Sequence, residues 1–278
     1  MSGERRPTGP GSLGKLVRLG IRVRADLAEL TLANLLPLLG DGAEERDLGG
    51  SVEYAVYLPE GELPPPEAVR ALGGEGVLGT LTEPVTGDWR RSYLEHLRPV
   101  RAGALTIRPP WLDGSPEDIV IDPDTMFGAG THESTRLSLE LLQRMTPIPP
   151  APLCDWGSGS GVLAIAAARL GWGPVTALEL DPDAAPVIAA NALANGVEVE
   201  VHAAFDLLEV QPPWAPTVLA NLTPVLHREV SARLQRRPER LIAAGFLARY
   251  ADDVAPLYAP LREVDRAVEG EWAAVSLA

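Results

Sequence analysis

The chain reads as an α/β protein: a doubly wound, Rossmann-like domain preceded by a small α+β domain of ferredoxin-like type. Three observations carry this reading. From about residue 104 onward, short apolar runs alternate with longer helical patterns, the rhythm of a parallel sheet with helices on both faces. One of those runs leads through Gly157-Ser158-Gly159-Ser160-Gly161 straight into an apolar helix, as a ligand-binding turn of such a sheet does. Before residue 104 the elements are short and are punctuated by Gly and Pro clusters, as in a small sheet with helices on one face.

Taken in order, residues 1–11 are a polar, Gly- and Pro-rich tail with no apolar core of a signal peptide after it, because Lys15, Arg18, Arg22 and Arg24 interrupt the next stretch. Residues 15–23 alternate as a strand. Asp26 is placed to cap a helix that runs to about Leu39, where Gly40, Asp41 and Gly42 break it. Residues 51–59 form a strand by their β-branched and aromatic content. Three prolines at 64–66 open a short helix over 67–72, and a strand follows over 77–82. The order is β-α-β-α-β, one element short of a full split β-α-β sandwich. A connector helix spans about 88–97 and stops at Pro99. The domains are therefore 12–86, a linker at 87–103, and 104–278.

In the larger domain strands are predicted near 104–108, 119–121, 152–155, 174–180, 197–201, 217–221 and 240–245. Helices are predicted near 132–145, 161–170, 182–195, 225–235 and 247–258. Two last strands, near 261–267 and 271–277, form an antiparallel edge.

Composition excludes several functions. No run of about 18 apolar residues occurs, so no membrane helix is expected. Cys154 is the single cysteine, so no internal disulfide forms and a reduced, cytoplasmic setting fits. The four histidines, His96, His132, His202 and His227, are scattered without a ligand spacing, so no catalytic metal is expected. A net charge of −14 argues against direct nucleic-acid binding through a broad basic surface and is compatible with a basic protein partner. Solubility alone explains it equally well.

The strongest motif is Leu153-Cys154-Asp155-Trp156-Gly157-Ser158-Gly159-Ser160-Gly161. Gly157, Gly159 and Gly161 let the backbone turn tightly and approach a ligand, and the helix N-terminus aims its free amides there. A dinucleotide fingerprint places its third glycine at the position of Val162, whereas this chain has G-x-G-x-G, the form typical of enzymes that use S-adenosylmethionine (AdoMet). That ligand has no pyrophosphate to cradle. The next strand ends at Glu179, 22 residues after Gly157, where a carboxylate can accept from both ribose hydroxyls. Asp181 reads as the N-cap of the following helix. A nicotinamide-dependent oxidoreductase is the main alternative, and Val162 counts against it. At the end of the fourth strand, Asn221-Leu222-Thr223-Pro224 lacks the aromatic residue that stacks on a planar amide or base. The side-chain carbonyl of Asn221 suits a flexible primary amine; otherwise Asn221 is a strand-end cap.

The segment Ile121-Asp122-Pro123-Asp124-Thr125-Met126-Phe127-Gly128-Ala129-Gly130-Thr131-His132-Glu133-Ser134-Thr135-Arg136 resembles the D-P-G-x-A-F-G-T-G-x-H-x-T-T segment of the bacterial ribosomal protein L11 methyltransferases. The resemblance covers most of 88–278, including DWGSGSGVLAIAAARLG, ALELDP, LANL, IAAGFL and the closing EGEWAAVSL. It implies an AdoMet-dependent enzyme that methylates lysine side chains and the N-terminal amine of a ribosomal protein, with 12–86 as its substrate-recognition domain. Cofactor contacts then fall on Thr135, Gly157, Glu179 and Asn221, beside Asp155, Gly159 and Gly161 of the glycine turn. Phe127 and Thr131 fall in the loop that closes over the cofactor. For His132 the resemblance leaves a catalytic role beside a simple capping one. Asn221 would orient the acceptor amine, and no general base is required. Departures from the family's pattern are Ala129 for Thr, Glu179 for Asp, the run Trp214-Ala215-Pro216-Thr217 without an acid, and Arg237-Pro238-Glu239-Arg240 in place of Pro-Gly-Gly. They leave open another protein substrate, and a non-catalytic AdoMet-binding role in ribosome assembly.

Overall fold

The computed structural model describes residues 16–28, 31–32, 34–35, 44–59, 63–84, 97–122, 130–145 and 151–278. The expected tail over 1–11, nearly all of the connector helix over 88–97, and Phe127 lie outside them. The chain divides into two compact units, Met1–Glu95 and His96–Ala278.

In the first unit, β1 (Leu16–Arg24) is followed by helical residues at Ala28, Thr31, Leu32, Asn34 and Leu35, then β2 (Glu44–Asp47), β3 (Ser51–Pro59), α1 (Pro66–Gly73) and β4 (Val77–Pro84). The strands lie in the order β2-β3-β1-β4, every neighbour antiparallel. Leu19, Ile21 and Val23 alternate onto one face and pack with Leu35, Tyr54, Val56 and Val69. This is the connectivity of a complete split β-α-β sandwich, so the sequence reading counted one strand too few. The strand it missed, Glu44-Glu45-Arg46-Asp47, is wholly charged and sits at the sheet edge, where charge discourages further pairing and no apolar alternation marks a strand. The Asp26 carboxylate accepts from the Arg24 guanidinium at 2.5 and 3.0 Å; most of the helix it was expected to cap lies outside the described residues.

The second unit begins with a small sheet of β5 (Val100–Ala102), β6 (Leu105–Arg108) and β7 (Ile119–Val120). The expected strands at 104–108 and 119–121 therefore belong to this separate sheet, and part of the expected linker joins them as a strand. Next come α2 (Glu133–Arg144), β8 (Leu153–Trp156), α3 (Val162–Arg169), β9 (Val175–Leu178), α4 (Ala184–Ala194), β10 (Glu200–His202), β11 (Thr217–Asn221), α5 (Pro224–Arg233), β12 (Arg240–Leu247), α6 (Ala251–Val254), β13 (Glu263–Glu269) and β14 (Trp272–Leu277). The expected helix over 247–258 is broken into 3-10 turns on either side of the four-residue α6, and Pro256, which has no N–H to donate, stands in the second of them.

The main sheet has the order β10-β9-β8-β11-β12-β14-β13. β8 to β12 run parallel, and β14 is antiparallel to both β12 and β13. Strand order reverses between β8 and β11, which opens a crevice at their C-terminal ends. Apolar clusters cover both faces, and α3 is buried from Val162 through Ala167 because it is apolar all round. All four residues of β8 are buried.

That burial has a chemical consequence at Cys154. Removal from water pushes its thiol up to about 12, with the Asp155 charge acting in the same sense. The thiol is therefore inert. A thiol-specific reagent at pH 8 should leave the native chain unlabelled and modify its one cysteine in denaturant; rapid native labelling would contradict the buried strand.

Candidate active site

The glycine turn forms where a fully buried strand must reverse. Gly157, Gly159 and Gly161 have φ of +71°, +54° and +82°, a region that side chains with a Cβ disfavour. A side chain would also crowd its neighbours: a Cβ at Gly157 would lie 2.9 Å from the Leu222 side chain, and one at Gly161 would lie 2.8 Å from that of Ile188, so each would have to shift. The amides of Gly157 and Ser158 both donate to the Leu178 carbonyl, at 2.9 and 3.0 Å, and Gly161 N–H donates to Ser158 at 2.8 Å.

Glu179 leaves the end of β9 with its carboxylate against this turn. One oxygen accepts from Gly159 N–H at 2.8 Å and the other from Asp181 N–H at 3.1 Å. Each oxygen retains a second lone pair for a ligand hydroxyl. Asp181 is not the cap of α4: its side chain accepts from Asp183 N–H at 2.8 Å in a tight turn, and the helix starts at Ala184 with Asp183 at its N-cap. Beneath the turn, Asp155 is fully buried and neither carboxylate oxygen has a hydrogen-bond partner of ordinary geometry among the described residues. Burial pushes its carboxyl up to about 7, eased by the nearby Ser158 hydroxyl and Ala164 amide and reinforced by the Glu179 charge.

Across the crevice, α2 and β11 bring two more predicted residues together: Asn221 Nδ2 donates to Thr135 Oγ1 at 3.4 Å. The amide nitrogen is thereby turned toward Thr135, leaving the carbonyl oxygen to accept from an incoming amine. His132 is the N-cap of α2, its Nδ1 accepting from Ser134 N–H at 3.2 Å. Burial lowers its pKa, so the ring is held neutral. Thr131 is exposed, and its carbonyl accepts from the Arg136 guanidinium.

Sequence reasoning missed three groups that hold these residues. His227 was set aside as an isolated histidine, yet it is fully buried under the Asn221–Pro224 segment. Its Nε2 meets the Ala244 carbonyl at 2.9 Å and its Nδ1 the Tyr258 hydroxyl at 2.8 Å. Burial drives its pKa down to about 4, so it is a neutral brace. Asn191 on α4 and Asn195 at its C-cap, one turn apart, act as a ladder of side chains. Asn191 exchanges two 2.9 Å bonds with the Asp122 backbone and reaches Ser160 O at 3.0 Å. Asn195 bonds the Val120 backbone at 2.9 and 2.6 Å. Their spacing in NALAN was the legible signal. The third group is Glu269 against Arg136, at 2.7 and 2.9 Å. Among the described residues no cluster of His, Cys, Asp and Glu is placed to hold a metal ion, and no helix is long and apolar enough to cross a membrane.

A model of the family described as ribosomal protein L11 methyltransferase (PrmA) matches residues 72–278. A ribosomal protein L11 methyltransferase of Pelotomaculum thermopropionicum is 39% identical over 206 residues, covering 68% of this chain and 65% of that protein. One from Thermus thermophilus is 36% identical over 197 residues, covering 66% of this chain and 75% of that protein. The chain thus spans slightly under two thirds of the length of the Pelotomaculum relative. The crystal structure of a ribosomal protein L11 methylase from Lactobacillus delbrueckii subsp. bulgaricus superposes with a TM-score of 0.59 at 24% identity, over 66% of this chain and 98% of that one, a likeness of fold.

Asp155 makes the site's electrostatics measurable. Its carboxyl titrates near 7 when folded and near 3.8 when unfolded, so the folded state binds more protons between these values. Stability is therefore lost as pH rises through that window, and the loss is complete above it. The neutral variant Asp155→Asn removes this term, so its melting temperature relative to the parent chain should climb steadily from pH 5 to pH 8, by about 5 °C or more. A gap that does not change with pH would show that Asp155 is not desolvated.

Proposed function

The chain belongs to the ribosomal protein L11 methyltransferase family, and on that premise we propose that it transfers methyl groups from AdoMet to lysine side chains and the N-terminal amine of ribosomal protein L11. The observation that carries the reading is that the adjacent parallel strands β8 and β11 end, where the strand order reverses, in the glycine turn that Glu179 holds and in Asn221, which is bonded to Thr135.

The residues fit AdoMet. Glu179 has two carboxylate oxygens, each with a free lone pair, facing a glycine turn in which a Cβ would crowd its neighbours. That arrangement suits the two hydroxyls of a ribose lying close to the backbone. Asp155, Gly157, Gly159 and Gly161 would form the floor beneath it, and Thr135 and Asn221 the opposite wall. When bound, AdoMet supplies an already activated methyl group on a sulfonium.

The chain's own task is then positional. Asn221 accepts an N–H of the incoming amine on its carbonyl oxygen, which aims the nitrogen lone pair into the crevice. Leu222, buried and touching Gly157, keeps water from the same side. An amine held there loses solvation, which favours its neutral, nucleophilic form. His227 is no candidate base, since both of its ring nitrogens are committed in the core. Phe127, Thr131 and His132 belong in this reading to the segment that closes over the cofactor. Residues 12–86 present the substrate, the acidic surface suits its basic character, and the reaction belongs to the cytoplasm.

Incubation with AdoMet and purified ribosomal protein L11, followed by intact mass, should show gains in steps of one methyl. Asn221→Ala should lower the rate about a hundredfold while leaving the fold intact. Calorimetry should show AdoMet affinity falling at least about tenfold in Glu179→Ala, which loses both oxygens of the proposed ribose site. AdoMet binding without transfer to ribosomal protein L11 would redirect the search to another protein substrate or to a non-catalytic role. Binding of neither would sink the proposal.

A further inference from the structure

The closing motif Glu269-Gly270-Glu271-Trp272 is a two-residue hairpin turn between β13 and β14, with Glu269 and Trp272 paired across it and Gly270 at φ +57°. Each of its other residues holds something. The Glu269 carboxylate accepts from Nη2 and Nε of the Arg136 guanidinium, at 2.7 and 2.9 Å. The same guanidinium donates to the Thr131 carbonyl and lies 3.3 Å from Glu133. Trp272 packs edge-on against the ring of His132, centroids 4.4 Å apart. The Glu271 carbonyl accepts from Ala248 N–H at 2.7 Å, tying the turn to the end of β12.

Arg136 is badly placed for helix stability alone. It stands in the first turn of α2, where the helix dipole disfavours a cation. Its side chain is only 17% exposed, so it also gives up hydration. A bidentate carboxylate offsets both costs and fixes the fork's plane, which a single exposed ion pair would not do. The fork's remaining nitrogen is then aimed at Thr131.

We propose that Glu269, Arg136 and Trp272 are positioning residues: the hairpin turn fixes Thr131 and the first turn of α2, and so sets where Thr135 meets Asn221 on the cofactor side of the crevice. The consequence for the cofactor rests on the reading of Thr135 given above, whereas the anchoring of Thr131 does not.

The test compares Glu269→Gln with Asp265→Asn. The latter breaks a different ion pair from the same hairpin to the far end of the same helix, Asp265 to Arg144 at 3.2 Å. Three quantities are read on the full chain: amide hydrogen exchange over 130–136 without ligand, AdoMet affinity by calorimetry, and kcat and KM for ribosomal protein L11 at saturating AdoMet. Glu269→Gln should speed exchange over 130–136 and weaken AdoMet binding, each about tenfold, with kcat at saturation changed less than about threefold. Glu269→Asp, which keeps the charge on a shorter arm, should recover part of both. Asp265→Asn should move neither. Equal behaviour of Glu269→Gln and Asp265→Asn would overturn the proposal, as would faster exchange with unchanged AdoMet affinity. A parent chain that binds no AdoMet, while the exchange contrast persists, would overturn the methyltransferase reading and leave the anchoring of Thr131 standing.

Discussion

The larger unit depends on one constraint: β8 is buried on both faces and must still reverse into α3 without stranding its backbone amides. A parallel strand in the middle of a sheet has no solvent to fall back on. The chain meets this by turning left-handed at Gly157, Gly159 and Gly161 and by giving two successive amides, from Gly157 and Ser158, to the single carbonyl of Leu178. Glu179 follows Leu178 directly, so the strand that satisfies the turn also delivers the carboxylate that receives Gly159. The residues proposed to bind the cofactor are thus the ones whose hydrogen bonds hold the turn together.

From that turn, constraint passes outward through side chains. Asn191 joins Ser160 of the turn to Asp122, and Asn195 repeats the arrangement one helical turn later at Val120. Two amide side chains thus do for β7 what a neighbouring strand would do, and they fix where the segment after Asp122 begins. On the other side, Leu222 N–H donates to the Ala244 carbonyl at 2.9 Å, which also receives His227. The strand end bearing Asn221 is therefore braced by a neutral imidazole between a carbonyl and the Tyr258 hydroxyl. Because that ring has no room or solvent to become charged, the brace keeps one tautomeric pattern throughout the neutral range.

The parts of this arrangement that were legible in the sequence are those with a local cause. Buried parallel strands read as short apolar runs, and the glycine spacing and its following acid read as a ligand turn because both needs are met within a few residues. What was not legible has causes remote in the chain. β2 is a strand only because β3 offers it an edge, and its four charged residues carry no strand pattern of their own. The break in the expected 247–258 helix turns on Pro256 within an otherwise helical run. The partner of Arg136 lies 133 residues away, so neither Arg136 nor Glu269 shows its role locally. His132 reads in the structure as the cap of α2, which its place before the helix had allowed, while Phe127 falls outside the described residues.

The cost of the site lies in Asp155. A carboxyl with no hydrogen-bond partner of ordinary geometry among the described residues, held where burial pushes its pKa to about 7, subtracts from stability at neutral pH. Among the described residues no arginine or lysine is paired with it or with Glu179. Stability alone gives no reason to bury the Asp155 carboxyl beneath a glycine turn, and a group that a fold carries at a loss points to a function. In the proposed reading a cationic ligand would offset that cost, because attraction to a positive charge grows as water is excluded. AdoMet carries a sulfonium that its demethylated product lacks, so in this reading negative charge beside the turn would favour the reactant over the product. In that reading the methyl group is activated in advance, and the chain would contribute that preference and the meeting of Thr135 with Asn221, neither of which needs a residue that moves a proton.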